Sequence, residues 1–383
     1  MPGDFRVREA LRPHAGSAAH AVYELTKESL TTPEAVGKLA RALGVRPGDC
    51  AYAGLKDKHA ITVQSVSVRI RPKPMPDRVG EERWSAVRAG TRAEPLAARD
   101  IDHNAFEIVV RDLTVDGCAH MQSCAEALRS AEGLRLVNFF GEQRFGSARH
   151  GEGFAAAHLV RGEFEQALRL LIGTPHRKDS GVQRAFTRGL AAAWGDWQRL
   201  AAELPRCPQR KGVELLAERA ARGVRGAGGV RGAVESEDFR DAFAALPYML
   251  QEMCVDAWQS WLWNCVIEVG LSADGSASLV QRVALPSPGA KYHGAWQAAA
   301  DRVIADAGVS LIDLRIPGLR RPAFAEAERA VWVEACDFEI SPPEPDELAP
   351  PRGKKAPPRF KRTVKFSLPS GSYATVLLRA LGQ

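Results

Sequence analysis

The sequence predicts an α+β protein of two domains, the first interrupted by the second and completed by the C-terminus. Three observations support this. The chain has 383 residues, more than one ordinary hydrophobic core accommodates. Its outer parts mix helices with strand-like runs, "AITVQSVSVRI" (60–70), "NAFEIVVRDL" (104–113) and "TVKFSLP" (363–369), each rich in residues that suit a half-buried strand. Between about 155 and 270 the text turns helical and alanine-rich. The change of texture suggests a second domain inserted in, or appended to, the first; the expected division is 1–160, an inserted 161–335, and 336–383, which returns to the first domain.

Taken in order, "TPEAVGKLARALG" (32–44) reads as a helix. Thr32 can cap it, Pro33 suits its first turn, Val36, Leu39, Ala40 and Leu43 share a face, and Gly44 can end it. In the strand "AITVQSVSVRI" the alternation slips at Gln64 and Ser65, the mark of a bulge. "NAFEIVVRDL" places Phe106, Ile108 and Val110 on one face; "DGCAHMQSCAEALRSAEG" is helical and leads into "LRLVNFFGEQRFG". In the inserted part the best helix is "CVDAWQSWLWNCVIEVG", with Val255, Trp258, Leu262, Val266 and Val269 in one stripe. "ARGVRGAGGVRGA" (221–233) lacks a hydrophobic period and reads as a loop. "SPPEPDELAPPRGKKAPPRFKR" (341–362) is acidic, then basic, a solvated loop or a contact for RNA phosphates. The chain ends as a strand, a Pro-Ser-Gly turn and a short helix.

Composition narrows the function classes. Apolar residues at 45% and charged residues at 26% exclude a disordered chain. There is no apolar run of about 18 residues, and "MPGDFRVREA" lacks the pattern of a signal peptide, so a cytoplasmic protein with no membrane association is expected. Seven scattered cysteines without Cys-x-x-Cys, and nine histidines without His-Glu-x-x-His, predict neither a disulfide frame nor a structural metal site. The net charge of +6 is compatible with a polyanionic partner without requiring one.

Three segments could carry chemistry. "YAGLKDKHAITVQ" (52–64) sets Asp57 between Lys56 and Lys58 on a turn that feeds a strand. Nearby lysines favour a charged carboxylate, which suits a nucleophile or base; a solvated turn is the alternative. "VNFFGEQRFG" (137–146) crowds three phenylalanines, two glycines and Arg144 into ten residues. Phe139 and Phe145 suit a core, whereas Phe140, beside Gly141, could stack on a base that Asn138 reads. "LPSGSYATVLLRAL" (368–381) opens a helix with a Gly-Ser turn, offering N–H groups to an anion or capping by Ser370 or Ser372.

In this order the three segments resemble the TruD family of tRNA pseudouridine synthases. The family's Gly-x-Lys-Asp-[Lys/Arg]-x-Ala-x-Thr-x-Gln run is matched by Gly54, Lys56, Asp57, Lys58, Ala60, Thr62 and Gln64. "NFFGEQRFG" and "LPSGSYATVLLR" match its other two signatures, with weaker likeness in "DFRVRE", "HNAFEIVVR" and "WQSWLWN". The resemblance implies a pseudouridine synthase fold, a mixed and mainly antiparallel sheet flanked by helices, with an inserted α+β TRUD domain and an RNA cleft between the two. It implies isomerisation of uridine in tRNA, usually at position 13 of the D arm, with neither cofactor nor metal. Asp57 would be the catalytic carboxylate, acting as nucleophile or base; Phe140 would stack on the flipped uracil and Asn138 would hold the geometry. Arg144 and Arg379 are candidates for phosphate contact or for pairing with Asp57, and Lys58 for substrate binding. The expected partner is tRNA, or another RNA, and the expected state a monomer. Members usually carry a lysine just upstream of the "DFRVRE" segment, which the sequence as given does not contain. The competing readings are an RNA-binding or RNA-folding protein on the same scaffold without catalysis, a synthase acting at other RNA positions, and a basic α+β protein whose aspartate is only a turn residue.

Overall fold

The structure is a computed structural model. It describes the chain except residues 14–18, 72–73, 147, 149–151, 176–178, 224–233, 274–281 and 350–356. The described residues form two compact units, Met1–Asn138 with Trp332–Gln383, and Phe139–Val331. In chain order the strands are β1 (Phe5–Leu11), β2 (His20–Glu28), β3 (Cys50–Tyr52), β4 (Ile61–Arg69), β5 (Arg78–Glu81), β6 (Trp84–Arg92), β7 (Ile101–Leu113), β8 (Gly133–Val137), β9 (Arg282–Ala284), β10 (Glu328–Ala330), β11 (Trp332–Ile340), β12 (Glu344–Pro345) and β13 (Phe360–Pro369). The helices are α1 (Thr32–Leu43), α2 (Val115–Ala127), α3 (Ala155–Val160), α4 (Phe164–Leu168), α5 (Gly181–Ala192), α6 (Trp197–Glu203), α7 (Arg210–Gly223), α8 (Ser236–Ala244), α9 (Tyr248–Ala273), α10 (Ala295–Asp306) and α11 (Ala374–Ala380).

The first unit is built on one sheet, in the order β5-β6-β2-β4-β1-β7-β13-β11-β8, with β3 on β4 and β12 on β13. β1 and β4 run parallel, and the other described pairs in this sheet antiparallel. The fold is therefore the mixed, mainly antiparallel α+β arrangement the sequence implies. The chain leaves this unit after β8 and returns at β11, and these strands are neighbours, with Val137 opposite Trp332. A long insertion between adjacent strand ends leaves the ladder intact and adds only slowly to the loop-closure cost. The units change at Asn138/Phe139 and Val331/Trp332, where the expected breaks were 160/161 and 335/336. The reason is α3, which packs on α4 and α9 and so joins the second unit.

One face of the sheet carries two separate apolar clusters. Under α1, residues Ala35, Val36 and Leu39 pack on Ala21, Tyr23, Leu25, Val66, Val68, Trp84 and Ala86. Under α2 and α11, Cys118, Met121, Ala125 and Leu377 pack on Ile108, Leu134, Leu136, Val333, Val364, Phe366 and Leu368. Strand register places Lys27, Thr62, Val7, Phe106 and Phe366 in one row across this face. Between the clusters the face is polar: Glu9, Lys27, Thr62 and Gln64 are all buried.

Four local expectations change. The helix 32–44 is present, ends at Gly44 with φ +66°, and is capped by Thr31, whose side chain accepts from the Glu34 N–H. A capping box with Glu34 selects the earlier threonine, which frees Thr32 for other bonds. β4 has no bulge against β2: its register runs unbroken from Ile61 opposite Glu28 to Arg69 opposite His20. The slip arose because Thr62 and Gln64 are polar residues on the buried face. α9 is buried beyond its predicted stripe, since Ala257, Gln259, Ser260, Trp263 and Ile267 are also enclosed where α3, α8 and α10 pack around it. Finally, the acidic part of 341–362 is not a free loop. β12 pairs with β13, Asp346 meets Arg111 at 2.7 Å, and Glu347 meets Lys361 at 2.7 Å.

The second unit is mainly helical, α3 to α10, with β9 and β10 as a two-stranded antiparallel ladder. The glycine-arginine stretch 221–233 falls largely outside the described residues, as do the basic residues of 350–356. No helix among the described residues is long and apolar enough to cross a membrane.

Candidate active site

The segment around Asp57 is a loop pinned along its buried side. β3 runs antiparallel to the second half of β4, Tyr52 opposite Val66, so residues 53–60 return alongside the polar half of β4. The Gln64 side chain donates to the Gly54 carbonyl at 3.2 Å and accepts from the Thr32 hydroxyl at 2.9 Å. Thr32 in turn accepts from the Lys56 N–H at 3.0 Å. Ala60 is fully enclosed. Several positions of the Gly-x-Lys-Asp run, Gly54, Lys56, Ala60 and Gln64, thus anchor the loop.

Two lysines complete the anchoring: Lys56, expected only to favour a charged Asp57, and Lys27, to which the sequence reading gave no role. Lys56 points into the protein and meets Glu9 at 2.6 Å, both side chains nearly or fully buried; Glu9 also accepts from the Ser65 N–H. The second is Lys27, on β2. It is fully buried, donates to the Asp57 carbonyl at 2.7 Å and lies 3.5 Å from the Lys56 carbonyl. Burial pushes its ammonium down to about 8, opposed by the negative charge of Asp57. Lys58 is exposed, and its charge helps hold the Glu34 carboxyl below its ordinary range, where the hydrogen bonds from Thr31 dominate.

Asp57 itself is exposed. One carboxylate oxygen accepts from the His59 N–H at 2.8 Å, a short local turn bond of the kind aspartate favours. Its main chain is therefore tied to the sheet while its carboxylate faces outward, an arrangement suited to a nucleophile or a base.

Asn138 follows β8 and is 8% exposed. Its side-chain oxygen accepts from the Ser372 hydroxyl at 3.1 Å, so the second and third sequence motifs meet in the first unit. Ser372 follows a turn in which Gly371 has φ +85°, a conformation that suits glycine. Of the two readings of this turn, capping by a serine is not found: α11 has Tyr373 at its N-cap and no side-chain capping bond. Arg379 lies exposed on the last turn of α11.

Phe140 and Arg144 belong to the second unit. Asn264 of α9 grips Phe140 by the main chain, accepting from its N–H at 2.9 Å and donating to its carbonyl at 3.0 Å. The half-buried Phe140 ring lies edge-on to Trp263, centroids 5.6 Å apart, and the Arg329 guanidinium sits 4.0 Å from its centre. Phe145 is edge-on to Phe154, in keeping with a packing role. The carboxylate that Arg144 meets is Asp256, at 2.8 Å; Arg144 also donates to the Ser260 hydroxyl at 3.2 Å. Burial raises the Asp256 carboxyl and Arg144 opposes the rise.

Glu9, Lys27 and Arg329 were not singled out by the sequence reading. The first two had a readable signal. In "HAVYELTKE", Lys27 falls in phase with Ala21, Tyr23 and Leu25, and in "FRVREAL", Glu9 falls in phase with Phe5 and Val7. A charge on the core phase of a strand is the informative exception to burial rules. Arg329 has no such signal, because its role depends on two segments far apart in sequence.

Comparison with known proteins agrees with this geometry. A family model described as tRNA pseudouridine synthase D matches residues 1–278. A tRNA pseudouridine synthase D of Aquifex aeolicus is 27% identical, covering 99% of this chain and 96% of the relative. A pseudouridylate synthase of Homo sapiens is 29% identical over 68% of this chain and 36% of its own length. The crystal structure described as that of a tRNA pseudouridine synthase D from Methanosarcina mazei superposes with a TM-score of 0.74 at 23% identity, covering 99% of this chain and 92% of that one, which extends the likeness of fold over both units. The chain belongs to the tRNA pseudouridine synthase D (TruD) family, an isomerase family acting on RNA.

Proposed function

We propose that this protein isomerises uridine to pseudouridine in tRNA, at uridine 13 of the D arm, with Asp57 as the reacting carboxylate. The bond from C1′ to N1 breaks and one from C1′ to C5 forms; C5 gives up a proton and N1 gains one, so the reaction needs no second substrate. Asp57 acts on the ribose, either attacking C1′ as N1 leaves or taking a proton from the sugar. The observation that carries this reading is the contrast within one residue, a carboxylate open to solvent on a backbone tied to buried groups. A carboxylate exposed toward a polyanion serves no purpose in binding RNA and is a liability there, which disfavours a purely binding role.

Phe140 is the ring that takes the flipped uracil, replacing the stacking the base loses on leaving the RNA. Asn138, held by Ser372, supports the site geometry. Lys58 and Arg379, both exposed, are the candidates for phosphate contact; Arg144 pairs with Asp256, and its guanidinium lies 5.8 Å from the Phe140 ring centre. The position within tRNA rests on the family resemblance.

The test is Asp57→Asn assayed for pseudouridine formation on purified tRNA. Activity should be lost while tRNA affinity changes by no more than a few fold; full conversion by the variant would refute the role of Asp57. Mapping pseudouridines in tRNA from cells with and without the gene checks position 13, and a loss elsewhere would reassign the target.

A further inference from the structure

We propose that Lys27 is a positioning residue for this reaction. Its ammonium, held beneath the 53–60 loop, fixes the Asp57 carbonyl and thereby the direction in which the carboxylate meets the ribose. The inference deepens the proposed function and rests on Asp57 being the reacting group.

Lys27 occupies a site that the fold has no packing reason to give a lysine. Ala21, Tyr23 and Leu25 precede it on the same face of β2 and belong to the apolar cluster under α1. An ammonium enclosed there gives up its hydration, a cost that an apolar side chain of similar length avoids. What the charge obtains in return is specific. It donates to the Asp57 carbonyl at 2.7 Å, with the Lys56 carbonyl at 3.5 Å, and hydrogen bonds from a charged donor are the strong ones.

The remaining ties on this loop reach its flanks. Gln64 holds Gly54, Thr32 holds the Lys56 N–H, and Glu9 holds the Lys56 side chain. Among the described residues, Lys27 supplies the hydrogen bond to the main chain of Asp57 itself. Without it, residue 57 would be fixed only through its neighbours.

The charged groups acting on Lys27 are Asp57 and Lys56 from the loop and Glu34 from α1, while Glu9 on β1 pairs with Lys56. Burial lowers the ammonium to about 8, Asp57 and Glu34 oppose that fall, and Lys56 adds to it. The clamp is therefore charged well below pH 8 and loses its proton as the pH rises through about that value. Arginine at this position would stay charged throughout.

The experiment compares wild type, Lys27→Met, Lys27→Arg and Asp57→Asn in single-turnover pseudouridine formation, with tRNA affinity measured alongside. Lys27→Met should slow the chemical step about 100-fold, the scale of a displacement of roughly 1 Å at a reacting group, with tRNA affinity within a few fold. Lys27→Arg should regain most of the rate. The wild-type rate should decline as the pH passes about 8, and this decline should be absent from Lys27→Arg. A Lys27→Met rate equal to wild type, or an unchanged alkaline decline in Lys27→Arg, overturns the inference. Should Lys27→Met fail to fold, the pH profiles of wild type and Lys27→Arg still decide the matter. If Asp57→Asn is inactive while both Lys27 variants behave as wild type, only the role of Lys27 fails; an active Asp57→Asn removes the proposed function itself.

Discussion

The Asp57 loop and the Phe140 segment are both anchored through their main chains, but by opposite means. Asp57 is fixed from below by buried charge, Lys27 on its carbonyl and the Lys56–Glu9 pair beside it. Phe140 is fixed by a neutral amide, with Asn264 closing two hydrogen bonds on its main chain and Trp263 against its ring edge. Buried ions carry a desolvation cost that a neutral amide largely avoids. The difference follows from what each segment presents. On the proposed reaction, a carboxylate facing RNA benefits from positive charge on its protein side, whereas a stacking ring needs only a fixed plane.

That contrast predicts unequal sensitivity to single substitutions. The largest stability effect belongs to the charged side. Glu9→Gln leaves the Lys56 ammonium buried without its counter-charge, and breaking such a pair costs about 3–5 kcal/mol. The urea-unfolding midpoint of the full chain should fall, and Glu9→Gln combined with Lys56→Met should recover much of the loss. An unchanged midpoint in the single variant would mean that the pair carries no weight.

On the neutral side the effects are smaller and should appear in rate before stability. Phe140→Ala removes base stacking worth roughly 1–3 kcal/mol, read as a slower single-turnover rate. If that rate is untouched, Phe140 is a packing residue. Smaller again is Arg329→Met, which removes a cation 4.0 Å from the Phe140 centre and an interaction of about 0.5–2 kcal/mol. A drop in rate as large as that of Phe140→Ala would show that Arg329 touches the substrate rather than only the ring.

How much could be read in advance differs between the regions too. The α1 helix, β7, β13 and α11 were legible because apolar period, caps and turn residues act locally. The threonine cap was misplaced by one residue because Thr31 and Thr32 both qualify, and only the Glu34 side chain chooses between them. The bulge expected in β4 was an error of period: polar Thr62 and Gln64 imitate a change of face when they are in fact enclosed. Both lysines flanking Asp57 were expected to favour its charged form, yet Lys56 turns inward to Glu9 and Lys58 stays exposed.

The sequence alone determined the α+β class, the insertion between two parts of one sheet, the family, and Asp57 as the residue to test, because all of these rest on local pattern and ordered motifs. The tertiary structure alone decided what holds that residue. Lys27, Glu9 and Thr32 lie 30, 48 and 25 residues before Asp57, and they reach its loop only because β1, β2 and β4 lie side by side in the sheet under α1. Burial and ion pairing depend on that three-dimensional enclosure, and no local pattern encodes which buried charge meets which carbonyl.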